Sequence, residues 1–341
     1  MRCAAFNTGA SYLLDHIAPL AEWMQMPLIT TEERNAALAE RYYPQVEVRL
    51  MPDLEFRLCE IAEQFDVLFE CKHWAPHLKW LFRQLYHKEM GLVLCPHGQS
   101  DKGFRSPLLA PYAFHDAVLF YGELMIQMLK DLKIWPSIAN YAIVGNYRFQ
   151  CYQKHQMFYD AVAEQEIFSK LAKKNRTLLY APTWRDGDTG TSFFEYGAEI
   201  ISQLPSDWNL IVKLHPLLEE CDPALFYSVV ALADAKPNAL LIQEFPPVYP
   251  ILAKVDAYLG DFSSVGYDFL LFQRPMFFLP TQTPGRLHSC GTILEPTSPL
   301  YSQLEAPNLH AEVQKTLYEF AFSPGHSLNE DKIKTVCKSL R

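Results

Sequence analysis

Short apolar runs alternate along this chain with longer stretches in which apolar residues recur every three or four positions. The runs have the length and composition of strands, and the intervening stretches have the period of amphipathic helices. In the first half the runs fall at Cys3–Phe6, Val46–Met51, Val67–Glu70, Leu92–Cys95, Ala117–Phe120 and Tyr141–Val144. Helices are expected over Leu54–Gln64 and Tyr121–Asp131, and Gly145-Asn146 closes the sixth strand. Residues 151–174 read as helical and increasingly charged, ending in Lys173-Lys174-Asn175. The pattern then restarts, with strands at Thr177–Ala181, Asn209–Leu214, Ala239–Gln243, Ala257–Gly260 and Met276–Leu279. Helices are expected over Glu195–Gln203, Pro223–Ala233, Pro247–Ala253, Ser264–Gln273 and Leu309–Phe322.

Strand–helix alternation predicts an α/β fold of parallel sheets with helices on both faces. A chain of 341 residues has room for two such domains. The predicted division is 1–155 and 156–325, with a tail over 326–341. Neither G-x-G-x-x-G nor G-x-x-x-x-G-K-[ST] occurs, so dinucleotide and P-loop readings lose their usual support. In open parallel sheets, ligands bind outside the carboxyl ends of the strands, so the chemistry is sought there.

Composition narrows the partners. The formal net charge is -9, and no basic stripe is visible, which argues against nucleic acid and against a polybasic membrane anchor. An anionic ligand remains compatible, since helix N-termini and a few local cations bind phosphate inside an acidic protein. The eight cysteines are scattered with no C-x-x-C pair, so they read as reduced thiols rather than a zinc site. The first residues lack a leader pattern, and no apolar run approaches the ~20 residues of a membrane span. The expected compartment is the cytoplasm, with peripheral contact at the inner face of a membrane left open.

Four segments carry candidate chemistry. In Leu259-Gly260-Asp261-Phe262-Ser263-Ser264-Val265, a strand runs into a helix. Ser263 is a natural N-cap, and the hydroxyls and first-turn N–H groups form an anion pocket. Asp268, one turn on, could accept from diol hydroxyls; a merely capped helix is the competing reading. Tyr180-Ala181-Pro182-Thr183-Trp184-Arg185-Asp186 presents Thr183 and Arg185 from a strand end, and Arg185 could grip phosphate bidentately. The competing reading is a surface pair of Arg185 with Asp186. Asp186 and Asp188 also have D-x-D spacing, though no third metal ligand is obvious. In Lys213-Leu214-His215-Pro216, the imidazole stands at a strand end where it can donate to phosphate or serve the fold alone. In Cys95-Pro96-His97-Gly98-Gln99-Ser100-Asp101-Lys102-Gly103, His97 suits general-base work, Asp101 could orient it, and Lys102 could attract an anionic acceptor. A turn with a solvated Asp101–Lys102 pair fits that loop as well.

Together these segments resemble the CDP-glycerol glycerophosphotransferases of teichoic-acid synthesis. Ala181-Pro182-Thr183-Trp184-Arg185-Asp186 is similar to that family's A-P-T-W-R-D signature, and Gly260-Asp261-Phe262-Ser263-Ser264-Val265-Gly266-Tyr267-Asp268 to its T-D-Y-S-S-V-x-F-D signature. Lys213-Leu214-His215-Pro216 resembles K-x-H-P, and Pro96-His97-Gly98 falls where the family carries W-H-G. The resemblance spans about residues 90–280. It implies a GT-B fold, two Rossmann-like domains facing each other across a cleft, with no metal and no cofactor. It also implies a CDP-activated donor on the second domain and an acceptor hydroxyl on the first. His97 would be the base, His215 would contact the donor phosphates, Ser263 and Ser264 would hold phosphate, and Asp268 would lie near the donor. Thr183, Arg185 and Lys213 extend the donor side on their own chemistry, and Asp101 and Lys102 the acceptor side. The expected partners are a nucleotide-activated donor and a polyol or glycan acceptor, lipid-linked or free. The alternatives are a glycosyltransferase using a nucleotide sugar, a nucleotide-sugar epimerase, and a nucleotide-binding protein without catalysis.

Overall fold

A computed structural model of the protein describes residues 1–72, 75–102, 107–184, 190–325, 333 and 335–337. The chain divides into two compact units. The first comprises Met1–Gly98, Pro107–Lys154 and Phe320–Arg341, and the second Gln99–Ser106 and His155–Glu319. Two features separate this division from a single cut near residue 155. Residues 99–106 leave the first unit because the Asp101 carboxylate is hydrogen-bonded to Tyr267 and Leu287, far along the chain. The helix Ala311–Phe322 ends in the first unit because Phe322, fully buried, packs on Tyr121.

The first unit is built on seven strands: β1 (Cys3–Asn7), β2 (Leu28–Thr30), β3 (Val48–Leu50), β4 (Val67–Glu70), β5 (Gly91–Leu94), β6 (Ala117–Phe120) and β7 (Tyr141–Ile143). They lie in the order β3-β2-β1-β4-β5-β6-β7, every pair parallel. The second unit has β8 (Arg176–Ala181), β9 (Trp208–Lys213), β10 (Ala239–Ile242), β11 (Ala257–Gly260), β12 (Met276–Phe278) and β13 (Thr292–Ile293). Their order is β10-β9-β8-β11-β12-β13, again parallel throughout. Strand order reverses between β1 and β4 and between β8 and β11, so each sheet has one switch point at which ligands are expected.

Both central strand pairs are buried on both faces, which is why they read as near-continuous apolar runs. In the second unit Leu178 and Tyr180 of β8, Leu210 and Val212 of β9 and Leu259 of β11 share one core cluster. In the first, Ala4, Phe6, Leu68 and Leu92 do the same. Local signals fix several helix starts. Thr191 Oγ1 accepts from Phe193 N at 3.2 Å to begin the helix Ser192–Ser202. Asp222 Oδ1 accepts from Leu225 N at 3.0 Å, with Pro223 in the first turn of Pro223–Asp234. No helix among the described residues is long and apolar enough to cross a membrane.

Candidate functional site

Register sets the site of the second unit. Gly260 of β11 pairs with Ala181 of β8, and Tyr180 of β8 pairs with Val212 of β9. The three loops that leave β8, β9 and β11 therefore start level at one carboxyl edge, beside the switch point. These are the loops that carry Thr183, His215 and Ser263.

Asp261 ties the edge together. Only 6% exposed, it accepts from Thr183 N at 2.8 and 3.1 Å, from Ser192 N at 3.1 Å and from Ser192 Oγ at 2.6 Å. Burial pushes its carboxyl above the usual range, and these donors together with the Lys102 charge pull it back. The acid of this motif thus locks the β8 loop and the start of the helix Ser192–Ser202 onto the end of β11. Ser263 occupies the N-cap position of the helix Ser264–Phe269 with extended backbone, yet its side chain makes no capping bond. Ser264 is partly exposed, while Asp268 is buried and accepts from the Tyr249 hydroxyl at 2.9 Å.

His215 is strongly tuned at this edge. Burial comes first, then the positive charges of Lys102 and Lys213, and together they lower its pKa to about 3. Its Nδ1 accepts from Leu217 N at 3.2 Å, which leaves the proton of the neutral ring on Nε2. The ring packs on the Trp184 indole at 5.9 Å between centroids. Lys213 Nζ donates to Phe245 O at 3.3 Å. Thr183 is buried, its N–H held by Asp261. Arg185, Asp186 and Asp188 lie outside the described residues.

Asp101 and Lys102 are grouped with this edge rather than with the residues that precede them. The Asp101 oxygens accept from Tyr267 Oη at 2.7 Å and Leu287 N at 2.9 Å. Lys102 Nζ donates to Trp184 O at 3.2 Å. Both Asp101 oxygens are thus engaged within the second unit.

In the first unit, His97 follows β5 at the carboxyl edge. Cys95 N donates to Glu70 O at 2.7 Å, carrying the β4–β5 ladder one step past the strand end. Gly98 then takes φ +125°, a conformation that side chains rarely adopt, so the Pro96-His97-Gly98 turn needs its glycine. Burial lowers the His97 pKa, which favours the neutral imidazole. Beneath the β4 end, His115 and Glu70 form a buried pair at 2.9 Å, with His115 Nδ1 donating to Pro111 O at 3.2 Å. Asn7 ends β1 at the switch point, 1% exposed, its amide without a partner among the described residues.

The sequence reading passed over several of these groups. Ser192 and Tyr249 were unmarked because their roles depend on contacts 69 and 19 positions away. Asn7 had one local signal, a polar residue closing an apolar strand ahead of Gly9 at φ +83°.

Two units of wholly parallel α/β structure, each with one reversal of strand order, define the GT-B class. The wall teichoic acid polymerase TagF has this fold, with TM-score 0.66 and 15% identity over 99% of this chain and 88% of that one. So does the UDP-GlcNAc 2-epimerase from Neisseria meningitidis, at 0.61 and 13% over 99% and 100%. Residues 152–283 match the model of the CDP-Glycerol:Poly(glycerophosphate) glycerophosphotransferase family. The teichoic acid glycerol-phosphate primase of Bacillus subtilis (strain 168) is 29% identical over 107 residues, 31% of this chain and 26% of that protein. The teichoic acid ribitol-phosphate polymerase TarL of Staphylococcus aureus (strain NCTC 8325 / PS 47) is 27% identical over 121 residues, 34% and 20% respectively. The matched stretches thus cover about a quarter or less of these relatives.

Proposed function

We propose that this protein transfers a glycerol-phosphate, or a related alditol-phosphate, from a CDP-activated donor to an acceptor hydroxyl in the synthesis of a cell-envelope polymer. One observation carries the reading. The segment that matches the glycerophosphotransferase family holds the three level loops at the β8/β11 switch point, and their groups suit a diphosphate. The similarity to TagF, which has been studied with CDPG, points the same way.

In this reading the acceptor oxygen attacks the phosphorus that carries the glycerol. A new P–O bond forms, the bridging P–O bond to CMP breaks, and CMP leaves with the bond's electron pair. His97 takes the acceptor proton. His215, neutral, donates its Nε2–H to the phosphate oxygens on which charge develops, and Lys213, Thr183, Ser263, Ser264 and Arg185 complete the donor side. One well-placed donor of this kind is worth about 3–4 kcal/mol of barrier. Asp268 acts by holding Tyr249 and the helix that follows Ser263. The acceptor is a polyol or glycan chain, lipid-linked in a cell. The reaction runs at the cytoplasmic face of the membrane, where a CDP-activated donor meets such a chain.

The test is nucleotide release from CDP-glycerol, CDP-ribitol and a panel of UDP-sugars, with glycerol-phosphate oligomers as acceptors. CMP release from a CDP-alcohol is expected, and His97→Ala should lower it by about 10²–10⁴-fold without changing donor affinity. Release of UDP alone, or full turnover in His97→Ala, overturns the reading or the base assignment respectively.

A further inference from the structure

Residues 99–106 belong to the second unit, although the chain on either side of them belongs to the first. Three anchors hold the described part of this loop. Ser100 Oγ donates to Phe262 O at 3.5 Å and accepts from Lys102 N at 3.0 Å. Asp101 binds Tyr267 Oη, on the helix that follows Ser263, and Leu287 N, just beyond β12. The fit around Asp101 is close: a Cβ on Gly285 would stand 2.4 Å from Asp101 Oδ2, so the carboxylate reaches Leu287 N only past a glycine.

With Asp101 clamped, the next side chain is aimed. Lys102 Nζ donates to Trp184 O and lies 5.3 Å from the centroid of the indole, whose other neighbour is the His215 ring. Cation–π attraction and the carbonyl steer the ammonium. Its charge reaches both His215 and Asp261, which places it electrostatically at the carboxyl edge of β8, β9 and β11.

We infer that Lys102 is a ligand for the diphosphate of the nucleotide donor, held in position by Asp101, and that it is not an acceptor contact. The inference rests on the proposed reading that the second unit binds a nucleotide-activated donor. It deepens that reading by giving the donor site a residue from the loop that carries the acceptor-side histidine. Asp101 is a positioning residue: it touches no substrate and acts through Lys102.

Equilibrium binding on the full chain, followed by calorimetry and by Trp184-sensitive fluorescence, separates the possibilities. The probes are CMP, CDP-glycerol, UDP-N-acetylglucosamine and inorganic diphosphate. Lys102→Met should weaken CDP-glycerol and inorganic diphosphate about tenfold or more and CMP less, with acceptor KM unchanged. Lys102→Arg should recover part of the loss. Asp101→Asn should weaken the same two ligands, with the charge of Lys102 intact and a melting temperature checked alongside. Unchanged diphosphate affinity in Lys102→Met, or an effect confined to acceptor KM, overturns the inference. If the wild type binds the UDP-sugar and rejects CDP-glycerol, the donor reading falls, while the Lys102 comparison is read on the UDP-sugar. If it binds none of these anions, both fall.

Discussion

At the residue scale, His215 shows how a fold holds an imidazole neutral beside two lysines. Two lysines flank an imidazole that burial already keeps neutral, and its pKa sits at about 3, well below the usual 6.5. The unfolded chain protonates this histidine as pH drops below about 6.5, and the folded chain resists until about 3. The folded pKa is depressed, so the associated stability is fully present above 6.5 and is lost progressively as pH falls towards 3. His16, His97 and His288 are shifted the same way by burial, and they add to the slope. His215→Gln removes one of these titrations. Its melting temperature should fall less steeply between pH 6.5 and 4 than that of the wild type, by an amount equivalent to about 1–2 kcal/mol after allowing for partial exposure. Parallel profiles for the two proteins would show that the site does not hold His215 neutral. A bound diphosphate should move the His215 pKa upward in an NMR titration, since an adjacent anion favours the imidazolium.

At the element scale, the segment from Asp261 to Asp268 is shaped by close packing as much as by chemistry. Gly266 faces Leu287 and Tyr258, and a Cβ there would stand 2.7 Å from Leu287 Cδ2 and 3.0 Å from the Tyr258 hydroxyl. Gly266→Ala should therefore cost about 1–3 kcal/mol in urea unfolding. It should also weaken diphosphate binding, because Leu287 is the residue whose N–H holds Asp101. Gly190→Ala, with nothing within 4 Å of the added carbon, is the matched control and should be near neutral. The strands that set this geometry were legible, since β8, β9 and β11 carry the apolar runs Leu178–Ala181, Leu210–Val212 and Ala257–Leu259. β2 and β13 were not. Leu28–Thr30 is three residues long and Thr292–Ile293 two, too short for any periodicity to emerge. The helix Leu14–Met24 was hidden by Pro19 inside it, a residue that normally argues against a helix. The destination of Asp101 was illegible for a different reason. Its partners stand 166 and 186 positions away, whereas sequence adjacency pointed to His97.

At the scale of the whole molecule, a chain with net charge -9 still sets Lys102 and Lys213 beside His215, where the proposed donor would bind, so local placement outweighs overall charge. The chain also crosses between the two units more than once, and the last crossing lies inside one helix. Ala311–Phe322 starts in the second unit, where buried Gln314 donates to Arg274 O at 3.0 Å and Cys290 O at 2.8 Å. It ends in the first, where Phe322 is fully buried against Tyr121 at 5.4 Å and Ser323 Oγ accepts from Glu123 N at 3.3 Å. A helix shared in this way contributes to two cores at once, and its two ends can be separated by mutation. Phe322→Ala empties a large buried side chain and should cost the first unit about 3–5 kcal/mol. Hydrogen exchange should then quicken in β6 and in the helix Glu123–Asp131, while β8, β9 and β11 keep wild-type protection. Uniform quickening of both sheets would mean that the units unfold as one, and that the division at Glu319 has no energetic counterpart. Quickening confined to the first sheet would give each unit its own stability. The proposed roles of His97 and His215 could then be tested separately.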